Sequence, residues 1–196
     1  MKLDRALEEK IKQKAEEVLI KCRPNWDLPH TQAAVYWMKQ LIEHEGGDER
    51  ILIPAIYLHD IGYYDLIGPG YTYQQLRQIK PKHMIKGEKL ARQILNDLPL
   101  SEKEVKEITH LVRIHDDIPK IESFNEQMVF EADCLGMIDR EKAGVGSLAK
   151  ESVGDFLQSF KKRRMPKLKS KLARGKVKEF FEKEKNEIDK STPIMV

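Results

Sequence analysis

Six ionisable side chains sit where a folded protein ordinarily places apolar ones. His30, Ala34, Trp37 and Leu41 fall at i, i+4, i+7 and i+11, so His30 opens an apolar helical stripe. Leu52, Ile56 and His59 repeat the spacing, with Asp60 beside the histidine. His83, Gly87, Leu90, Ala91 and Ile94 form a third stripe, and Ile108, Leu111, Val112 and His115 a fourth. Val129, Asp133 and Met137 put a carboxylate in the middle of a fifth. A buried unpaired carboxylate is costly and shifts its pKa until neutral. A single buried histidine is usually a satisfied core residue. Four histidines and two aspartates facing inward pose a larger problem, which a divalent metal answers by binding neutral imidazole and ionised carboxylate together. A His/Asp set without Cys suits Mn, Fe, Ni, Co or Zn rather than Ca.

The elements that must position these residues read as helices almost throughout. Leu3 to Cys22 is a first helix, and Asp27 is the expected N-cap of a second that runs to about Glu45. Asp48 caps a third, through Leu58 to His59-Asp60. Gly62 to Pro81, with Gly68-Pro69-Gly70, reads as a loop or lid containing at most a helical turn at Gln74 to Gln78. Lys82 to Asn96 is helical by period. Ser101 with Glu104 forms a capping box before a helix to about His115, and Glu126 to Arg140 is another. Gly144 and Gly146 precede Ser147 to Arg164, and Pro166 separates a last helix ending near Asp189. No alternating strand pattern exceeds four residues. The expected fold is all-α, a single-domain helical bundle over residues 1–196. Its motif-bearing core spans about 28–140, and basic C-terminal helices (147–190) pack on it.

Composition narrows the function classes. The 196 residues are 34% charged and 40% hydrophobic, with a formal net charge of +3, which fits neither a disordered nor a membrane chain. The longest apolar run, Ile51 to Leu58, has eight residues including Pro54, far short of the roughly 20 that span a bilayer. The charged start Met1-Lys2-Leu3-Asp4-Arg5 lacks a signal-peptide apolar stretch, so a cytoplasmic location is expected. Cys22 and Cys134 make neither a disulfide framework nor a thiolate zinc site. No phosphate-cradling or dinucleotide-binding glycine motif occurs.

The run Ala55-Ile56-Tyr57-Leu58-His59-Asp60-Ile61-Gly62 is where the chain resembles a known family, the HD-domain metal-dependent phosphohydrolases. Their pattern is His, then His-Asp, then a distant Asp, on a bundle of helices. His30 matches the first histidine, His59-Asp60 the doublet, and Asp133, in Phe130-Glu131-Ala132-Asp133-Cys134-Leu135-Gly136, the last aspartate. A subset adds two histidines and holds two metals. His83 resembles the first, and His115 the second in preference to His110, which lies off the apolar stripe. The resemblance implies one or two ions, with Asp60 bridging them if two. With one ion, His83 and His115 become phosphate or water contacts. The Glu that some nucleotidase relatives carry after the doublet is absent from Gly62-Tyr63-Tyr64-Asp65, where only Asp65 could substitute, and Tyr63 stands where the cyclic-dinucleotide branch has Lys; the general resemblance is closest to small stand-alone HD hydrolases.

The implied reaction is hydrolysis of a phosphoester or phosphoanhydride of a nucleotide or similar small phosphorylated metabolite by metal-activated water. Asp60 is its catalytic residue. Lys82, Lys86, Arg113 and Arg140 are candidate phosphate partners by proximity, Lys86 sharing the helix face of His83. Tyr63, with Tyr64, Tyr71 and Tyr73, is a candidate to stack on a base. A second reading rests on Lys161 to Lys178, which holds ten Lys/Arg and no acid. It makes the chain a nucleotide- or nucleic-acid-binding HD protein with little or no turnover. The alternative for that run is a solvated helical surface. Oligomeric state is not readable from the sequence.

Overall fold

Short polar side chains start most of the helices, and apolar stripes decide how they pack. The computed structural model describes residues 1–68, 70–143 and 153–191, with the backbone only at 140, 153 and 184–191. No strand occurs among the described residues, so the fold is all-α as expected. The helices are α1 (Arg5–Leu19), α2 (Asp27–Glu45), α3 (Glu49–Leu58), α4 (Tyr73–Asn96), α5 (Glu102–Ile114), α6 (Phe124–Ile138), α7 (Arg140–Ala143), α8 (Val153–Arg163) and α9 (Lys171–Ser191). Single 3-10 turns lie at Ile61–Tyr63, Ile118–Lys120 and Met165–Lys167. None of the described helices is long and apolar enough to cross a membrane.

Asp4 and Asp48 accept hydrogen bonds from the first backbone N–H groups of α1 and α3. Thr72, Ser101 and Ser123 each form a capping box, with Gln75, Glu104 and Glu126, at the starts of α4, α5 and α6. α2 lies along α6, and Gly136 makes their approach close: a Cβ there would meet the Ala34 nitrogen at 2.9 Å. α3 and α5 pack beside this pair, and α4 packs on α5. One apolar cluster runs from Leu7 and Ile11 of α1 to Ala173 and Val177 of α9, so both ends of the chain share the core.

Three expectations change. The loop predicted at Gly62 to Pro81 gives way to helix at Tyr73, and α4 continues through Pro81. Proline inside a helix forfeits a hydrogen bond and costs about 3 kcal/mol. Burial of Leu76, His83, Met84 and Gly87 on one face, with the Thr72 capping box, outweighs that cost. Asp27 is the first residue of α2 rather than its cap, because its carboxylate is taken by Arg23. α6 begins at Phe124, two residues before the expected start, since Ser123 caps it. The expected features at Gly144, Gly146 and Ser147 lie outside the described residues. The basic run is amphipathic: Leu168, Ala173 and Val177 are buried, Lys161, Lys162, Lys167 and Lys169 are exposed, and Arg164 turns inward.

Glu104 shows how these caps contribute. It accepts from the Arg50 Nε (2.5 Å), the Ser101 backbone N–H (2.7 Å) and the Ser101 hydroxyl. The Arg50 hydrogen bond, then the Ser101 donors, hold its pKa down at about 2 against a smaller effect of burial. A carboxylate with a depressed folded-state pKa stabilises the fold above its unfolded value near 4.3, and that contribution is lost as pH falls towards 2. Glu104→Gln is therefore expected to cost about 1 kcal/mol at pH 7. The difference from wild type should shrink across pH 4 to 2 in urea unfolding; a pH-independent difference would contradict this account.

Candidate metal centre

Five helices deliver the six inward-facing side chains to one place. His30 comes from the first turn of α2, and Asp133 from the middle of α6. His59 and His115 are the C-cap residues of α3 and α5, and His83 lies within α4. All six are buried. They form two groups of three, His30 with His59 and Asp133, and Asp60 with His83 and His115; within each, the candidate ligand atoms lie within 4.8 Å of one another. The Nε2 atoms of His30 and His59 are 3.1 Å apart, and those of His83 and His115 are 3.3 Å apart.

Asp60 joins the groups. Its Oδ2 is 3.5 Å from the Nε2 of both His30 and His59. Its Oδ1 is 3.5 Å from His83 Nε2 and 3.4 Å from His115 Nε2. Asp133 presents Oδ1 to the first pair alone, 3.1 Å from His30 and 3.6 Å from His59.

Local structure fixes the ring orientations. The Nδ1–H of His59 donates to the Ile56 carbonyl (2.7 Å), and that of His115 to the Val112 carbonyl (2.8 Å). A carbonyl can only accept, so in the neutral rings the Nε2 lone pairs face the site. The other two rings are held by stacking: Trp26 lies flat on His30 (5.2 Å, 7°) and Tyr63 on His83 (4.0 Å, 10°). Their Nδ1 atoms are buried without a hydrogen-bond partner.

Electrostatics favour a cation. Burial raises the Asp60 pKa, but His59, Arg23 and the hydrogen bonds from His115 and His83 bring it well below the usual carboxylate range. Burial likewise opposes ionisation of Asp133, and Arg164, His30 and His59 overcome it. Burial lowers the His59 pKa, but Asp60 and Asp133 raise it to about 9, whereas burial dominates at His83 and lowers it to about 4. Two ionised carboxylates and four buried imidazoles form a donor set that fits a divalent transition metal.

A cleft of about 40 Å³, room for a few waters, opens beside Asp60, His115 and Asp133. Its lining includes the charged residues Arg23, Lys80, Asp116, Arg163 and Arg164 and the apolar residues Leu76, Ile118 and Phe156. Asp116 pairs with both Lys80 and Arg164, which hold its pKa down at about 2 against burial.

The profile of the HD domain matches residues 28–144, more than half of the chain. The chain belongs to the HD domain family. Curated proteins and solved structures show no significant similarity to it.

Of the residues predicted for this HD site, the structure brings together His30, His59, Asp60, His83, His115 and Asp133. His110 instead lies on the surface beside Glu126, 2.9 Å away. Tyr63 lines the cleft, but both faces of its ring are occupied, by His83 and by the Arg23 guanidinium 3.7 Å from its centroid. Lys86 does not reach the cleft; its ammonium donates to the Tyr64 carbonyl. Arg113 pairs with Glu88, and Lys82 is exposed. The Arg140 side chain lies outside the described residues. Arg23, Lys80, Asp116, Arg163 and Arg164 were not singled out for the site. The second His-Asp doublet, His115-Asp116, was the available signal for one of them, since α5 ends in it as α3 ends in His59-Asp60.

Proposed function

We propose that this HD protein is a metal-dependent phosphohydrolase acting on a nucleotide or similar small phosphorylated metabolite. The observation that carries the reading is Asp60, whose two oxygens face different histidine pairs at the floor of a cleft lined with cations. His30, His59, Asp60 and Asp133 would hold one divalent ion (Mn, Fe, Ni, Co or Zn), and Asp60, His83 and His115 a second. Such ions supply Lewis acidity towards a phosphoryl oxygen and a water far more acidic than bulk.

The chain's own residues do the rest. Four carboxylates, Asp27, Asp60, Asp116 and Asp133, surround the site with three cations, Arg23, Lys80 and Arg164. With an ion bound, the histidines are neutral as ligation requires; the charged side chains then sum to one negative charge, which the divalent ion reverses, giving a positive floor for phosphate. Lys80 and Arg164 are committed to Asp116, whereas Arg163 is exposed at the cleft and makes no ion pair among the described residues. Arg163 would meet the substrate anion as it enters. The apolar lining residues Leu76, Ile118 and Phe156 suit the organic part of a phosphate ester.

Phosphate and pyrophosphate release from mono-, di- and triphosphates, dinucleoside polyphosphates and cyclic nucleotides, with added Mn, Fe, Co or Ni, tests the proposal. Turnover that chelator abolishes is expected, and its product names the bond cut. Metal binding without turnover of any phosphorylated compound would overturn it. Arg163→Ala is expected to raise KM about tenfold with kcat nearly unchanged, because it removes binding common to ground and transition states. A fall confined to kcat would place Arg163 in the chemistry instead.

A further inference from the structure

We infer that Arg23 and Arg164, from the two segments flanking the HD match, are positioning residues that aim Asp60 and Asp133 at the histidine pairs. The inference rests on the metal-cradle reading above and goes beyond it, since neither arginine lies within residues 28–144.

The two flanks build the same device. Arg23 Nη2 donates to Asp60 Oδ2 (2.7 Å), while its Nε donates to a second acid, Asp27 (2.8 Å). Arg164 Nη1 donates to Asp133 Oδ2 (2.9 Å), while Nη2 donates to a second acid, Asp116. Each guanidinium also lies over an aromatic ring, Tyr63 at 3.7 Å and Phe130 at 5.6 Å from the centroid. Both side chains are buried, 2% and 6% exposed. Neither Asp27 nor Asp116 pairs with a histidine among the described residues, so each second acid serves to anchor its arginine.

Buried ion pairs are weak evidence for stability, because desolvation offsets much of their attraction. What these pairs supply is direction. With Oδ2 of Asp133 held by Arg164, Oδ1 is the oxygen left facing His30 and His59. With Oδ2 of Asp60 held by Arg23 on the His30 side, Oδ1 is turned to His83 and His115. A planar fork can bridge two acids in one geometry, and a lysine ammonium of equal charge cannot.

Arginine-to-lysine exchange therefore separates aim from charge. Co²⁺ titration of the full-length protein, read by calorimetry and by the visible absorption of the bound ion, is the test, with far-UV circular dichroism confirming the fold. Arg164→Lys and Arg23→Lys are each expected to weaken Co²⁺ binding by about 10–100-fold and to change the Co²⁺ spectrum, which reports ligand geometry. Affinity within about threefold of wild type and superimposable spectra would overturn the inference. If Arg164→Lys does not fold, Arg164→Gln combined with Asp116→Asn preserves the charge balance and is read the same way. Failure of every variant to fold would make the arginines structural and also overturn it. Turnover does not enter these readouts: wild type that binds Co²⁺ but hydrolyses nothing removes the proposed activity alone, whereas wild type that binds no Co²⁺ removes both.

Discussion

Asp60→Asn is expected to lower metal-dependent phosphate release on the order of 10³-fold while the helical fold persists. Asparagine keeps the shape of the side chain and removes its charge, so the loss isolates the carboxylate. Among the described residues, Asp60 is the one in contact with all four site histidines, at 3.4–3.5 Å. Its replacement takes an anionic oxygen from both groups at once. Asp133→Asn touches the first group alone, so it should impair that group's ion and spare the affinity of His83 and His115. Metal stoichiometry measured on both variants checks the account. Equal losses in the two would contradict Asp60 as the shared ligand.

The second large effect is predicted at a residue with no side chain. A Cβ on Gly62 would lie 1.9 Å from the His83 carbonyl oxygen, 2.6 Å from the Gly87 nitrogen and 2.8 Å from the His83 carbonyl carbon. These are backbone atoms of α4, so no side-chain rotation relieves the clash. The 3-10 turn after the His-Asp doublet and the helix bearing His83 must separate. Gly62→Ala should cost about 3 kcal/mol or more, lowering Tm by roughly 10 °C for a chain of this size. Activity should fall further than stability explains, because His83 moves with its carbonyl. Gly68→Ala, where a Cβ meets nothing within 4 Å, is the control and should leave Tm unchanged. Thermal unfolding followed by circular dichroism decides between a tight contact and a slack one.

The inward stripes made the core of the site readable, because each histidine or aspartate continues a helical apolar period that fixes which way it faces. His115 was separable from His110 on that ground alone. Arg164 was not readable, since it sits among ten basic residues that share its composition and mostly face solvent. Only tertiary packing distinguishes it: Phe160 and Leu168 on either side are buried, and the chain between them turns Arg164 towards Asp133. Arg23 was hidden by the break at Arg23-Pro24-Asn25-Trp26, where no period exists to assign a face. The start of α4 was obscured by Pro81, whose local cost points to a boundary that burial of Leu76 and His83 overrides. Lys80 and Asp116 met across a contact between segments that no spacing connects.

The pairing of α2 with α6 has a further consequence, for the order in which this molecule assembles. α2 with α3 and α4 with α5 are neighbours along the chain and close short loops, whereas Trp37 donates to Asp139 across 102 residues. Closing a loop of that length costs about 4 kcal/mol of chain entropy, far more than a helical hairpin requires. Contacts of such separation slow folding and depend on what has already formed. His30 and Asp133 lie on either side of that closure, so they meet only when it is complete. A chain in which that closure has not formed can bring Asp60, His83 and His115 together but leaves His30 and His59 without Asp133, so capture of an ion by the His30, His59 and Asp133 group would report that folding has finished.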